Sequence, residues 1–155
     1  MSTITEGTAG APAARRLDQL LAHYGESHRN ATNTAIHCVA VPLIMVSLIG
    51  LLYALHPWVA YGFLALSMVY YVRLGSVPFL AAMVVSGALT IVIVQALGAD
   101  VLPVSVAVFV VAWIAQFIGH KIEGRKPSFF EDLQYLLVGP LFVAAKLFNK
   151  LGLRY

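Results

Sequence analysis

The sequence predicts an all-α membrane fold: a four-transmembrane-helix bundle with an N-terminal amphipathic helix and C-terminal interfacial or re-entrant helices. Three observations carry that expectation. The 155 residues are 60% hydrophobic and only 11% charged, with a mean hydropathy of +0.83, whereas a soluble domain carries about 25% charged residues. Four apolar stretches follow one another between short turns, each near the length that crosses a hydrocarbon core of about 30 Å. Finally, with four spans all 10 Lys and Arg residues fall on a single side of the membrane.

Residues 1–14 are small and polar and lack the cationic-then-apolar order of a signal peptide, so they read as a disordered cytosolic tail ahead of one integral membrane domain, 15–155. From Arg15 to Tyr24, the apolar residues Leu17, Leu20, Leu21 and Tyr24 recur at helical spacing among Arg16, Asp18 and His23. This is the pattern of an amphipathic helix lying at the interface. The polar run that follows predicts a break. In one continuous helix from 28 to 37, nine steps of roughly 100° would put His28 and His37 on opposite faces. A turn around Asn30, or a cap by Asn30 or Thr32, lets His28 fold back while Asn33 and His37, four apart, line one face.

The expected spans are about 36–55, 58–72, 77–97 and 101–118. Pro57 starts the second at a tolerated position, and Tyr53, Trp58, Tyr61, Tyr70 and Tyr71 mark its edges as interfacial rings do. Beyond the fourth span, Ser128-Phe129-Phe130-Glu131 has the capping-box pattern of a helix start. An apolar stripe through Leu133, Leu136 and Leu137 then runs to an expected break at Gly139-Pro140, and a last helix is expected over Leu141 to Leu151. Both segments are too short to cross separately and are expected to cover the cytoplasmic mouth.

Side assignment is the useful step. The loops opposite the cations hold only His56 and Asp100 as titratable groups, so the positive-inside rule puts both termini in the cytoplasm. The start of the first span, with His28 and His37, and the end of the fourth, with His120, then reach the same cytoplasmic face. A net charge of +3 without a basic stripe excludes a nucleic-acid footprint. The single cysteine, Cys38, excludes an internal disulfide and a thiolate-rich metal site.

Each histidine alone reads better as a polar helix end bonded to headgroups or backbone. Three on one side of a bundle, flanked by amides, favour a metal site instead, because neutral imidazoles suit iron, zinc and copper. His28, His37 and His120 are the candidate ligands, with Asn30, Asn33, Gln116, Glu123 and Asp132 as groups that would orient them. His23 is either a further ligand or solvated surface, His56 a turn residue, and Cys38 packing. Arg29, Arg125 and Lys126 are topological anchors or receivers of an anionic group at the membrane surface. Tyr24 and Tyr135 carry no expectation beyond interface packing.

Tyr24, His28, Asn30, Asn33 and His37, then Val41-Pro42, and later Gln116-Phe117, Gly119-His120, Arg125, Pro127, Asp132-Leu133 and Gly139-Pro140 form a set of words. With them the chain resembles the 2-hydroxy fatty acid dioxygenases of fatty-acid α-oxidation, small integral membrane proteins with fungal and bacterial members. The resemblance runs from about Leu17 to the C-terminus, the middle two spans matching only in hydrophobicity, and departs from the fungal pattern between Lys121 and Arg125. It implies an Fe(2+)-dependent enzyme that uses O2 to shorten a 2-hydroxy fatty acid by one carbon. The implied setting is the inner membrane in a bacterium or the endoplasmic reticulum in a fungus. Oxygen chemistry needs a reducible centre, which favours iron over zinc. The implied pose puts the carboxylate at headgroup level near Arg29, Arg125 or Lys126, and the acyl chain between the first and fourth spans.

Competing readings are another metal-dependent lipid-modifying enzyme, such as a zinc hydrolase or a hydroxylase, and a non-enzymatic scaffold or transporter. Di-iron membrane hydroxylases call for more than the 5 histidines present. A transporter should show charged groups in mid-span, and none of the four expected spans has one.

Overall fold

A computed structural model describes residues 15–124, 133 and 135–153 of the chain. All the regular structure among the described residues is helical: α1 (Arg16–Glu26), α2 (Ala31–Leu55), α3 (Pro57–Arg73), α4 (Val77–Ala96), α5 (Val101–Glu123) and α6 (Val138–Lys150), with a 3-10 turn at Gly98–Asp100.

Local chemistry sets the element ends. Asn30 is the N-cap of α2, its side chain accepting from the backbone N–H groups of Thr32 and Asn33. Of the two caps expected from the sequence, Asn30 and Thr32, it is Asn30 that serves. It starts the helix five residues earlier than the apolar run from Ile36 does, so Asn33 and His37 lie within α2. His56 accepts from the Trp58 N–H at 3.3 Å, and Pro57 opens α3. Gly124, with φ of 77°, ends α5 in the left-handed conformation that glycine adopts at little steric cost. The expected break at Gly139-Pro140 is not there, because α6 begins at Val138 and runs through both residues. Proline is tolerated in a first helical turn, where the N–H groups have no intrahelical acceptor. The expected tail 1–14 and the capping pattern at Ser128-Glu131 lie outside the described residues.

Three segments are long and apolar enough to cross a membrane: Ala31–Leu55, Val77–Ala96 and Gly98–Glu123. With 17 residues, α3 extends about 25 Å. Large apolar side chains such as Val39, Leu66, Val85, Val92 and Val111 point outward and are exposed, as they are on helices that have lipid for a solvent.

Contacts at both ends make α2 and α5 antiparallel. Near one end Gly50 lies so close to Ser105 that a Cβ on the glycine would overlap the hydroxyl; near the other, a Cβ on Gly119 would overlap the Asn33 side-chain oxygen. Small residues let helix backbones approach this closely where no water-driven force holds them together. The next turn of the bundle is fixed the same way: Ile49, Ala60 and Val94 cluster at one end of α2, α3 and α4, and Gln95 donates to the Tyr61 hydroxyl at 3.1 Å.

At the opposite end, α1 and α6 pack on the bundle. Leu17, Tyr71, Phe79, Met83 and Leu141 form one core there, with Leu17 and Leu141 fully buried. Tyr71 also donates its hydroxyl to the Leu137 carbonyl at 3.1 Å. This end, closed by α1 and α6, carries the start of α2 and the finish of α5.

Candidate functional site

The break between α1 and α2 does the positioning. Ser27 leaves α1, and residues 28–30 turn the chain before the Asn30 cap restarts it. His28 is thereby directed back towards the first turns of α2 rather than away from them. His37, two turns into α2, and His120, near the end of α5, complete the group. Ring centroids lie 4.2 Å apart for His28 and His37, 4.8 Å for His37 and His120, and 5.8 Å for His28 and His120. The three rings are 5%, 0% and 6% exposed respectively, so water does not satisfy them.

Hydrogen bonds fix two tautomers for neutral rings. His28 Nδ1 lies 2.7 Å from the Tyr24 carbonyl oxygen, which only accepts, so Nδ1 carries the proton and donates. His28 Nε2 is then the acceptor in its 2.8 Å contact with His37 Nδ1, and His37 donates. His37 Nε2 is left with a bare lone pair, buried and without a hydrogen-bond partner. A buried acceptor left unmatched is costly, and a ring nitrogen with a free lone pair is what a metal ion takes. A backbone carbonyl orienting the far nitrogen of an imidazole is likewise the usual support of a metal-binding histidine.

Among the described residues, no three His, Cys, Asp or Glu side chains yet stand as a complete metal-holding set. Two of the nitrogens face each other. The imidazoles are gathered and buried, and one lone pair is open. In identity the donor set suits a borderline transition metal, while in placement His28 Nε2 and His37 Nδ1 are paired with each other and only His37 Nε2 is open.

Around the rings, the other expected residues take distinct places. Glu123, at the end of α5, accepts from the backbone N–H groups of Arg29 (2.9 Å) and Asn30 (2.9 Å) and from the Asn33 side-chain amide (2.9 Å). It thus holds the 28–30 turn to α5. Asn33 also donates to the Ser27 carbonyl at 3.1 Å, and its side-chain oxygen sits against Gly119. Gln116 is buried with its side-chain oxygen unpartnered. Arg29 is exposed. His23 is exposed and contacts Glu26 and Tyr135, apart from the three rings, and His56 caps α3 at the other end. Arg125, Lys126 and Asp132 lie outside the described residues.

Tyr24 was the residue that sequence reasoning undervalued. Its ring stacks on His28 at 4.3 Å and 11°, its carbonyl sets the His28 tautomer, and its hydroxyl faces Gly139. Phe142 of α6 packs on both rings, at 5.1 Å from Tyr24 and 5.3 Å from His28. The four-residue spacing of Tyr24 and His28 was the available signal.

Comparison with known proteins bears on this arrangement. A family model described as "2-hydroxy-palmitic acid dioxygenase Mpo1-like" matches residues 14–151. The chain belongs to the Mpo1-like family. One relative, from Saccharomyces cerevisiae, is named "2-hydroxy-palmitic acid dioxygenase MPO1"; it is 27% identical over 138 residues, covering 85% of this chain and 79% of its own. No solved structure matches. In this Mpo1-like chain the matched region takes in α1 to α6, and with them all three buried imidazoles, Tyr24, Glu123 and Phe142.

Proposed function

We propose that this chain is an iron-dependent, O2-using enzyme that shortens 2-hydroxy fatty acids by one carbon at the edge of a lipid bilayer. The observation that carries the reading is the buried contact of His28, His37 and His120, with the open lone pair of His37 among them, in a chain of the Mpo1-like family. The name of the yeast relative supplies the substrate class. His28, His37 and His120 would hold a ferrous ion, which when bound would supply O2 activation and a charge for a 2-hydroxy acid to chelate. With one O2 the balance closes without a further reductant: the carboxyl carbon leaves as CO2, one water forms, and an acid one carbon shorter remains.

The chain's own residues prepare that site. Tyr24 holds His28 by a hydrogen bond from above and a ring stack from the side. Glu123 ties the turn that carries His28 to the helix that carries His120, so the ligands keep their spacing. Phe142 and the fully buried Asn33 of α2 help exclude water from the rings. Arg29, and with it Arg125 and Lys126, would meet the carboxylate as it arrives from the headgroup layer.

The chain from residue 15 onward forms one membrane domain in this reading. The shared ends of α2, α3 and α4 support a fourth crossing: α2 and α4 run in the same direction, so α3 has to carry the chain back between them. The cations at the histidine end support cytoplasmic termini, with α1 at the interface.

The test is consumption of 2-hydroxypalmitate by the purified protein under air and under nitrogen. The expected result is a one-carbon-shorter acid and CO2, formed only under air, with palmitate itself unconsumed. Equal turnover under nitrogen, or release of an unshortened product, would end the proposal.

A further inference from the structure

We propose that the acyl chain of the fatty acid lies in a slot bounded by α2, α4 and α6, reached from the histidines past Gln116 and Met45. This rests on the reading above that the site acts on a fatty acid.

Three cavities make the path. The smallest, about 20 Å³, adjoins the site and is lined by Tyr24, Gln116, Trp113, Ile44 and Met45. Its head is polar, since Tyr24 stacks on His28, and Gln116 is one helical turn before His120. The Gln116 side-chain oxygen is 4% exposed as a residue and has no hydrogen-bond partner. An acceptor in that position suits a hydroxyl donor passing the mouth.

Met45 also lines the other two cavities, of about 50 and about 260 Å³. These share Met83, Ser86, Thr90 and Pro140, and the larger continues past Pro42, Val46 and Val143. Met45 is therefore the junction, and methionine is the side chain that re-packs most easily around a guest. Along α2 the path runs about 12 Å from His37 to Met45 and about 18 Å to Ile49. Polar groups stand at the histidine end, and the rest of the lining is mostly apolar with Ser86 and Thr90 among it, which matches a fatty acid rather than a wholly apolar guest.

The alternative route, between α2 and α5 below the site, is filled by the packed Ala40, Ile44, Ala112 and Trp113 before the close approach of Gly50 to Ser105. The α4–α6 side is open, since the exposed Leu89 and Leu147 flank the large cavity. A fatty acid would therefore enter sideways from the bilayer.

The experiment uses the full-length protein in phosphatidylcholine nanodiscs. Ser86→Trp fills the slot from a position already exposed into it, Thr90→Phe fills it from the buried wall, and Val85→Trp, on the lipid face, is the control. Equilibrium binding is measured with palmitate and octanoate, and turnover with 2-hydroxypalmitate and 2-hydroxyoctanoate. Filling the slot should weaken palmitate binding and raise the KM for 2-hydroxypalmitate by about tenfold or more, and change the octanoate pair by no more than about twofold. Val85→Trp should change neither.

Unaltered palmitate binding in both slot variants overturns the proposal, as does wild-type protein that shows no saturable palmitate binding and so holds only membrane lipid there. If palmitate binding responds as expected while no 2-hydroxy acid is consumed, the slot stands and the proposed reaction falls. If turnover occurs with an unaltered chain-length profile, the slot falls and the reaction stands.

Discussion

Glu123, at the last turn of α5, accepts a hydrogen bond from the side-chain amide of Asn33, in the first turn of α2, at 2.9 Å, across 90 residues of sequence. The same carboxylate accepts from the Arg29 and Asn30 N–H groups. One side chain therefore ties together the two polar stretches that carry the histidines.

Replacing Glu123 with Ala should free the 28–30 turn. The bonds are charge-assisted but partly exposed, so the expected loss is about 1–2 kcal/mol in stability. A fall of about tenfold in turnover should accompany it as His28 loses its position. Glu123→Gln keeps one acceptor oxygen and should lie between. Thermal unfolding in detergent alongside kcat and KM measures both; wild-type turnover in Glu123→Ala would show that the turn holds itself.

Gly119→Ala should be more severe. The new methyl group would overlap the Asn33 side chain at a close α2–α5 contact, where the Asn33 amide is held by Glu123 and cannot yield easily, and overpacking of this kind costs about 1–3 kcal/mol. Gly50→Ala makes the same clash with Ser105 at the far end, but there a second change to Ser105→Gly removes the obstacle. The double variant should recover most of the stability lost in Gly50→Ala, and the absence of such recovery would mean that the helices are not packed at Gly50.

Tyr24→Phe keeps the ring on His28 and should keep activity within about twofold, whereas Tyr24→Ala loses a stack worth about 0.5–1.5 kcal/mol and should lower turnover by about tenfold. His23→Ala is the control, since that ring is exposed and apart from the others, and its turnover should match wild type. Equal losses in all three variants would remove the distinction between His23 and the buried imidazoles.

Much of the site was legible because it is built from local signals. The Asn30 cap follows from an amide before a helix-compatible run, and the charge distribution alone brought His120 to the side of His28 and His37. Element ends were legible less well, since hydropathy marks where lipid begins and not where a helix does. Hence α2 and α5 extend into the polar stretches, as far as Ala31 and Glu123, past the apolar limits expected near Ile36 and Ile118. Gly139-Pro140 looked like a break because proline stops a helix in mid-run; in a first turn it does not. The Met45 junction was invisible because it depends on how α6 docks on the bundle, which no spacing within one helix encodes.

The four-crossing arrangement has its own test. With Cys38 changed to Ala, single cysteines at Arg15 and Asp100 report the two ends of the bundle. In intact bacterial cells a membrane-impermeant maleimide should label Asp100→Cys directly and Arg15→Cys only after the membrane is opened. Labelling of both from outside would refute cytoplasmic termini.

The most direct measurement is the iron content of full-length protein purified without oxygen, for wild type and for His28→Ala, His37→Ala and His120→Ala. The expected result is one iron per chain in wild type, lost from each of the three variants while membrane insertion is unchanged, and retained in His23→Ala. Iron that stays in His37→Ala and His120→Ala, with turnover of 2-hydroxypalmitate intact, would contradict a centre built on the three buried imidazoles.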